Sequence, residues 1–253
     1  MILDSFSLAG KTAIVTGASR GLGQAMAIGL AEAGANIIAV SSTPADETAA
    51  AVRALGGECS VEVCDLGDRA AVKALMPSII AAGKQPDILV NCAGIIRRND
   101  FTDFTEADWD DVMGVNLDAA FFLSQAFVKN LLDRKSKGKI IHIASMLSFQ
   151  GGIRVPSYTA SKSALQGLTR LMACELAAKG INVNAIAPGY MATDNTAPLR
   201  ADEKRNAAIL ERIPVGHWGR PEDLKGAVVF LASAASNYMH GHTLAVDGGW
   251  LAR

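Results

Sequence analysis

Thr16-Gly17-Ala18-Ser19-Arg20-Gly21-Leu22-Gly23 stands between a β-rich run, Thr12–Thr16, and a helix-favouring segment, Gly23–Ala33. Glycines at 17, 21 and 23 let the backbone turn sharply and approach a ligand closely. The helix that follows offers free N–H groups and the positive end of its dipole. Strand, glycine turn and helix in that order point to a pyrophosphate cradle at the start of a βαβ unit. The spacing is G-x-x-x-G-x-G, with Ser19, Arg20 and Leu22 completing the turn.

The alternation that begins there continues to the end of the chain. Strand candidates are Thr12–Thr16, Asn36–Ser41, Ser60–Cys64, Ile88–Asn91, Lys139–Ala144, Asn182–Ala187 and Thr243–Val246. Helix candidates are Gly23–Ala33, Asp46–Leu55, Asp68–Ala82, Glu106–Leu132, Tyr158–Lys179 and Pro221–Ala232. Runs such as Ile37-Ile38-Ala39-Val40 are apolar on consecutive positions, as in strands covered on both faces. The expected fold is α/β: one Rossmann-type, doubly wound parallel sheet of about seven strands with helices on both faces. Residues 1–253 form a single domain in this reading, with a cofactor half to about 145 and a catalytic and substrate half from 146. Pro188–Arg220 lacks a clear strand, and a stretch of that length is usually a lid or binding segment.

Bulk properties narrow the function. Half the 253 residues are hydrophobic, 19% are charged and the formal net charge is −1. Lys and Arg are not concentrated anywhere, so there is no footprint for nucleic acid. No apolar run approaches the ~20 residues that span a bilayer. Met1 to Leu8 carries Asp4 and no positive charge, unlike a secretory leader. A soluble, cytoplasmic protein without membrane or nucleic-acid partners is expected. Cys59, Cys64, Cys92 and Cys174 are scattered, as for reduced thiols. His240-Gly241-His242 lacks a nearby third ligand, so no metal is expected.

At the end of the second strand an acidic residue would select NAD by holding the ribose 2′-hydroxyl. Ser41 and Ser42 stand there instead, and Arg20 suits a 2′-phosphate, while no second basic residue follows Ser41. Both NAD and NADP are compatible. Tyr158 and Lys162 are one helical turn apart and share a face. A neighbouring ammonium is expected to lower the phenol pKa from its usual ~10, so that Tyr158 exchanges a proton with an alcohol or ketone. Ser145 follows the apolar strand Lys139–Ala144, at the carboxyl edge of the sheet where such folds bind ligands.

Together these residues resemble the short-chain dehydrogenase/reductase family over the whole chain. The resemblance runs through Thr16–Gly23, Asp65-Leu66, Asn91-Cys92-Ala93-Gly94, Asn116, Ser145, Tyr158, Lys162, Pro188-Gly189…Thr193 and Asp247-Gly248-Gly249. It implies catalysis by Asn116, Ser145, Tyr158 and Lys162, with Asn116 holding a water that links Lys162 to solvent. It also implies that Asp65 and Leu66 contact adenine, and that Asn91, Ala93, Gly94, Tyr158 and Lys162 line the cofactor. Pro188, Gly189, Met191 and Thr193 would complete that site, Thr193 on the nicotinamide carboxamide. Cys92 departs from the more usual Asn.

The segment from Met146 to Ser157 places Gln150 and Arg154 next to the catalytic pair, and Ile95-Ile96-Arg97-Arg98 adds arginines after the glycine of the fourth strand's loop. Arginine suits a carboxylate and glutamine suits hydroxyls. Arg97, Gln150, Arg154 and Tyr190 are therefore candidate substrate residues. These segments and the terminal Trp250–Arg253 are similar to the branch of the family that oxidises six-carbon sugar acids of the gluconate type, most of which favour NAD. Two other readings share the core: a reductase of 3-oxoacyl groups on carrier protein, and a non-catalytic nucleotide sensor. The first would need a basic surface, and the second commonly lacks the Tyr or Lys. A homotetramer is expected, one interface using Ala160, Ala164 and Gly167 with Ser163, Gln166 and Arg170 at its margin, the other using the last strand and Trp250–Arg253.

Overall fold

A glycine turn followed by a helix forces the chain back across the sheet it has just left, and the computed structural model, which describes residues 1–253, shows that crossover repeated. The strands are β1 (Thr12–Thr16), β2 (Asn36–Ser41), β3 (Cys59–Val63), β4 (Ile88–Asn91), β5 (Gly138–Ile143), β6 (Ile181–Pro188) and β7 (Thr243–Val246). All seven pair in parallel, in the order β3-β2-β1-β4-β5-β6-β7. The order reverses between β1 and β4, which opens a crevice beyond their carboxyl ends.

Side chains alternate along each strand and so supply two cores. Ala13, Val15, Ile37, Ala39, Val90 and Ile141 pack with Met26 and Leu30 of α1 (Gly21–Glu32). Ile14, Ile38, Leu89, Ile140 and Val183 pack with Met76 of α3 (Arg69–Ala81) and with Leu123 and Phe127. Burying each large apolar side chain contributes about 1.5–3 kcal/mol, and this second layer holds the helices that carry the site. A helix α2 (Asp46–Ala54) completes the first layer. Capping fixes where helices begin: Asp68 accepts from Ala70 N at 2.8 Å, and Thr105 from Asp108 N at 3.1 Å.

Three differences from the expected elements matter for function. The segment expected as one helix over 106–132 is α4 (Glu106–Met113), a π-helical turn (Gly114–Asp118) and α5 (Ala119–Asp133). The extra residue of a π turn swings a side chain off the helix register, and here that residue set includes Asn116. The catalytic helix α6 runs Pro156–Leu176, started by Pro156 at a position that needs no N–H. Within 188–220 the chain forms two helices, α7 (Ala197–Ala201) and α8 (Glu203–Arg212), α8 being capped by Asp202 on Arg205 N at 3.1 Å. A helix α9 (Lys225–Ala232) then leads to β7. No helix is long and apolar enough to cross a membrane.

Candidate active site

A cleft of about 320 Å³ lies over the β1–α1 turn. Gly17, Ser19, Arg20, Gly21, Leu22 and Gly23 form one wall, Ser41, Ser42, Asp65 and Leu66 the second, and Ala93, Gly94 and Thr193 the third. Two glycines are required by contact. A Cβ at Gly23 would stand 2.1 Å from the Gly17 carbonyl oxygen, and one at Gly17, whose φ is +69°, would stand 3.0 Å from Ala93 Cα. A backbone shaped this closely around empty volume at a helix N-terminus suits a pyrophosphate. The sequence reading missed Cys64, Cys92, Ile95, Val115, Asp194 and Asn195, which also face the cleft. Each but Asn195 adjoins a residue the sequence singled out: Cys64 beside Asp65, Cys92 between Asn91 and Ala93, Ile95 after Gly94, Val115 before Asn116 and Asp194 after Thr193.

Other expected cofactor residues do not line this cleft. Asn91 is buried and its Nδ2 donates to Ser124 Oγ at 2.9 Å, a role in joining β4 to α5. Gly189 is close-packed, since a Cβ there would meet Asp247 Cα at 2.6 Å. Pro188 ends β6 inside the sheet, and the buried Met191 side chain packs on Gly219. Arg20 Nε faces Asp194 Oδ2 at 3.5 Å across the mouth, and Ser41 Oγ donates to Thr43 O at 2.7 Å.

The four expected catalytic residues group next to the Gly94–Ile95 end of the cleft, and none of them, Tyr158 and Lys162 included, is part of its lining. Ser145 hydrogen-bonds Tyr158, and its Oγ accepts from Leu147 N at 3.2 Å. Lys162 Nζ donates to Ile143 O at 2.6 Å and lies 5.6 Å from the centre of the Tyr158 ring. Asn116 accepts from Ile95 N at 2.8 Å and donates to Ile95 O at 3.0 Å and Ser161 Oγ at 3.2 Å, tying the π turn to the Gly94 loop and to α6. A Cβ at Gly94 would stand 3.3 Å from Asn116 Oδ1 and 3.5 Å from Lys162 Nζ, so the glycine lets the three groups meet.

The electrostatics differ from the expectation that Lys162 lowers the phenol. Desolvation raises the Tyr158 pKa; the Ser145 hydrogen bond opposes it, Cys92 adds to it and Arg98 opposes it. Burial also lowers Lys162 to about 8, with Cys92 pulling the other way. Lys162 is thus an ammonium that gives up its proton readily, and its Nζ is directed to a carbonyl instead of the phenol oxygen.

All four expected substrate residues are engaged with other parts of the chain. Arg97 meets Asp108 at 3.5 Å and Asp111 at 3.2 Å on α4. Arg154, with φ +65°, pairs with Asp100 at 2.9 Å. Gln150 Oε1 accepts from Arg212 Nη2 at 2.9 Å and Trp250 Nε1 at 3.2 Å, joining the end of α8 to the C-terminal segment. Tyr190 meets Trp218 edge to face and Trp250 at a tilt, with centroids 5.5 and 4.6 Å away. Arg98 is the arginine whose charge acts on Tyr158; its Nη2 donates to Asn195 O at 3.1 Å, and partial burial lowers its pKa while Tyr158 opposes that.

Comparison with known proteins agrees with this arrangement. The family described as Enoyl-(Acyl carrier protein) reductase matches residues 17–251. The chain is 58% identical over 253 residues, all of both chains, to the 2-dehydro-3-deoxy-D-gluconate 5-dehydrogenase of Escherichia coli (strain K12).

The chain belongs to the short-chain dehydrogenase/reductase family.

Among solved members, a protein from Agrobacterium tumefaciens, provisionally assigned as a 2-deoxy-D-gluconate 3-dehydrogenase and carrying NADP, superposes with a TM-score of 0.94. It is 58% identical and covers 99% of this chain and 100% of its own. A gluconate 5-dehydrogenase from Burkholderia cenocepacia J2315, in complex with NADP and tartrate, is 38% identical with a TM-score of 0.94 and full coverage of both chains.

Proposed function

We propose that this chain is an NAD(P)-dependent dehydrogenase that interconverts a secondary alcohol and a ketone on a six-carbon sugar acid of the 2-dehydro-3-deoxy-D-gluconate type. The observation that carries the reading is the Ser145–Tyr158–Lys162 cluster at the end of the glycine-floored cleft, with one guanidinium, Arg98, close enough to Tyr158 to act on its charge. The full-length 58% identity to a sugar-acid dehydrogenase supports the same substrate class, as does the Burkholderia relative, whose bound tartrate is a dicarboxylate.

In this reading Gly17–Gly23 holds the pyrophosphate, Asp65 and Leu66 flank adenine, and Ala93, Gly94 and Thr193 flank the nicotinamide end. The nicotinamide, when bound, supplies the hydride acceptor or donor. Tyr158 Oη exchanges the hydroxyl proton with substrate and Ser145 Oγ hydrogen-bonds the same oxygen. Lys162, with its pKa near 8, passes the proton onward along the Asn116 side of the cleft. Arg98 holds the carboxylate end, because a guanidinium binds a carboxylate by paired, charge-assisted hydrogen bonds. Cofactor choice rests on Ser41, Ser42 and Arg20, which place no carboxylate against a 2′-phosphate.

We place the enzyme in the cytoplasm as a homotetramer. Ser163, Gly167 and Arg170 lie exposed along α6, and a Cβ at Gly167 would meet nothing within 4 Å. Gln166, expected at the margin of that contact, is buried, and Trp250 is buried against Tyr190, leaving the edge strand β7 to supply the second contact. The test is a panel of gluconate, 2-deoxygluconate, 2-dehydro-3-deoxygluconate and a neutral polyol with NAD and NADP, followed by absorbance of the reduced cofactor. Turnover of a sugar acid in preference to the polyol is expected. Turnover of acyl thioesters alone would instead make the chain a carrier-protein reductase.

A further inference from the structure

The opposite edge of the sheet carries a second cavity. It is about 330 Å³, as large as the cofactor cleft, and is bordered by the N-terminal ends of β4, β5 and β6 at Ile88, Lys139 and Asn182. That volume lies in the range of small-molecule sites. The catalytic cluster sits beyond the other ends of the same strands, so this volume is separate from it.

Three lysines, Lys11, Lys137 and Lys139, line the cavity, and none is in an ion pair; the lysine pairs of this chain are Lys84–Glu62 and Lys225–Glu32. The one carboxylate on the wall, Asp87, is already held by Arg134 at 3.5 Å and by Thr12 N at 3.2 Å. Lys139 is half-buried and its Nζ has only neutral partners, Asn237 Oδ1 at 2.8 Å and Ser236 Oγ at 3.5 Å. Its burial lowers the ammonium to about 8. His240, on the same wall, lies with its Nε2 3.2 Å from the Asn182 amide Nδ2. Nδ1 is buried without a partner.

Three ammonium groups bordering one small volume repel one another. An arrangement that keeps them together while the one neighbouring acid, Asp87, is committed to Arg134 is complementary to an anion. Lysines act as compact point charges, which match the spread double charge of a phosphoryl group; a lone carboxylate is better matched by the planar arginine fork. We propose that this cavity is a second binding site, for a small molecule bearing a phosphoryl group, distinct from the cofactor and substrate sites.

Pyrophosphate is the probe, titrated calorimetrically into the full chain in the presence of saturating NADP, so that the glycine turn is already occupied. One saturable site is expected, with affinity at least about tenfold weaker in Lys139→Met and in Lys137→Met, the loss of one charge-assisted contact. Lys11 and Lys137 are exposed, so Lys11→Met and Lys137→Met carry the test even if Lys139→Met fails to fold. Turnover is expected to be unchanged in both. The proposal is overturned if wild type shows no saturable binding, if potassium chloride at matched ionic strength gives the same response, if further NADP displaces the probe, or if the lysine variants bind as wild type does.

Discussion

Arg97 and Arg98 are neighbours in the chain and end in different surroundings. Arg97 is spent on Asp108 and Asp111, whereas Arg98 reaches Asn195 O and the neighbourhood of Tyr158. Replacing Arg98 by Ala is expected to lower kcat/KM for sugar acids by about 10- to 150-fold, the worth of a charge-assisted hydrogen bond, and to leave a neutral polyol little affected. Steady-state kinetics on both substrate types checks this, and equal losses would assign Arg98 to structure. The grouping of Ser145, Tyr158 and Lys162 was legible because helical spacing puts Tyr158 and Lys162 on one face, a strand end carries Ser145 to the same edge, and the family resemblance singles all three out. The choice between adjacent arginines was not, because it depends on acids of α4 that come near only in the fold. The direction of the Tyr158 shift differs from the expectation for a related reason: spacing shows that Lys162 is near, but not that burial dominates the phenol.

Between elements, a buried hydrogen-bond chain joins four of them. Asn91 of β4 donates to Ser124 of α5 at 2.9 Å, and Ser124 Oγ lies 3.4 Å from His142 Nε2 on β5. His142 Nδ1 is 3.0 Å from Thr169 Oγ1 of α6, which itself donates to Leu165 O at 2.7 Å. Thr169 must therefore accept from Nδ1, which leaves Nε2 to accept from Ser124 and the ring neutral. Burial, then the nearby Lys162 charge, lowers His142 to about 4. Above its unfolded pKa of ~6.5 both states are neutral and nothing is gained or lost. Below it the unfolded chain takes a proton that the fold refuses, so stability falls as pH drops from ~6.5 to about 4, by ~3 kcal/mol in all. Urea denaturation across that window should show this loss in wild type and its absence in His142→Asn; parallel curves would contradict it. The strands and most helices were legible from periodicity, whereas the break at Gly114–Asp118 was not, since a π turn leaves the apolar pattern of a helix nearly intact. Helices α7 and α8 were not legible because their faces are largely polar and the residues that anchor α8, Gln150 and Trp250, are distant in the chain.

At the scale of the whole molecule, a parallel sheet with its switch point beside a glycine turn places the cleft at one edge and leaves Ser163, Gly167 and Arg170 of α6 exposed, where we propose that subunits meet. Light scattering is expected to give four times the 26.4 kDa of one chain; a mass of one chain would contradict the assembly. The central claim, that this fold oxidises a sugar acid with Tyr158 exchanging the proton, is tested most directly by Tyr158→Phe. With 2-dehydro-3-deoxy-D-gluconate and the preferred cofactor, turnover should fall roughly 10²- to 10⁴-fold while cofactor affinity, read by fluorescence, stays that of wild type. Turnover by the Phe variant within about threefold of wild type, far short of that range, would contradict it.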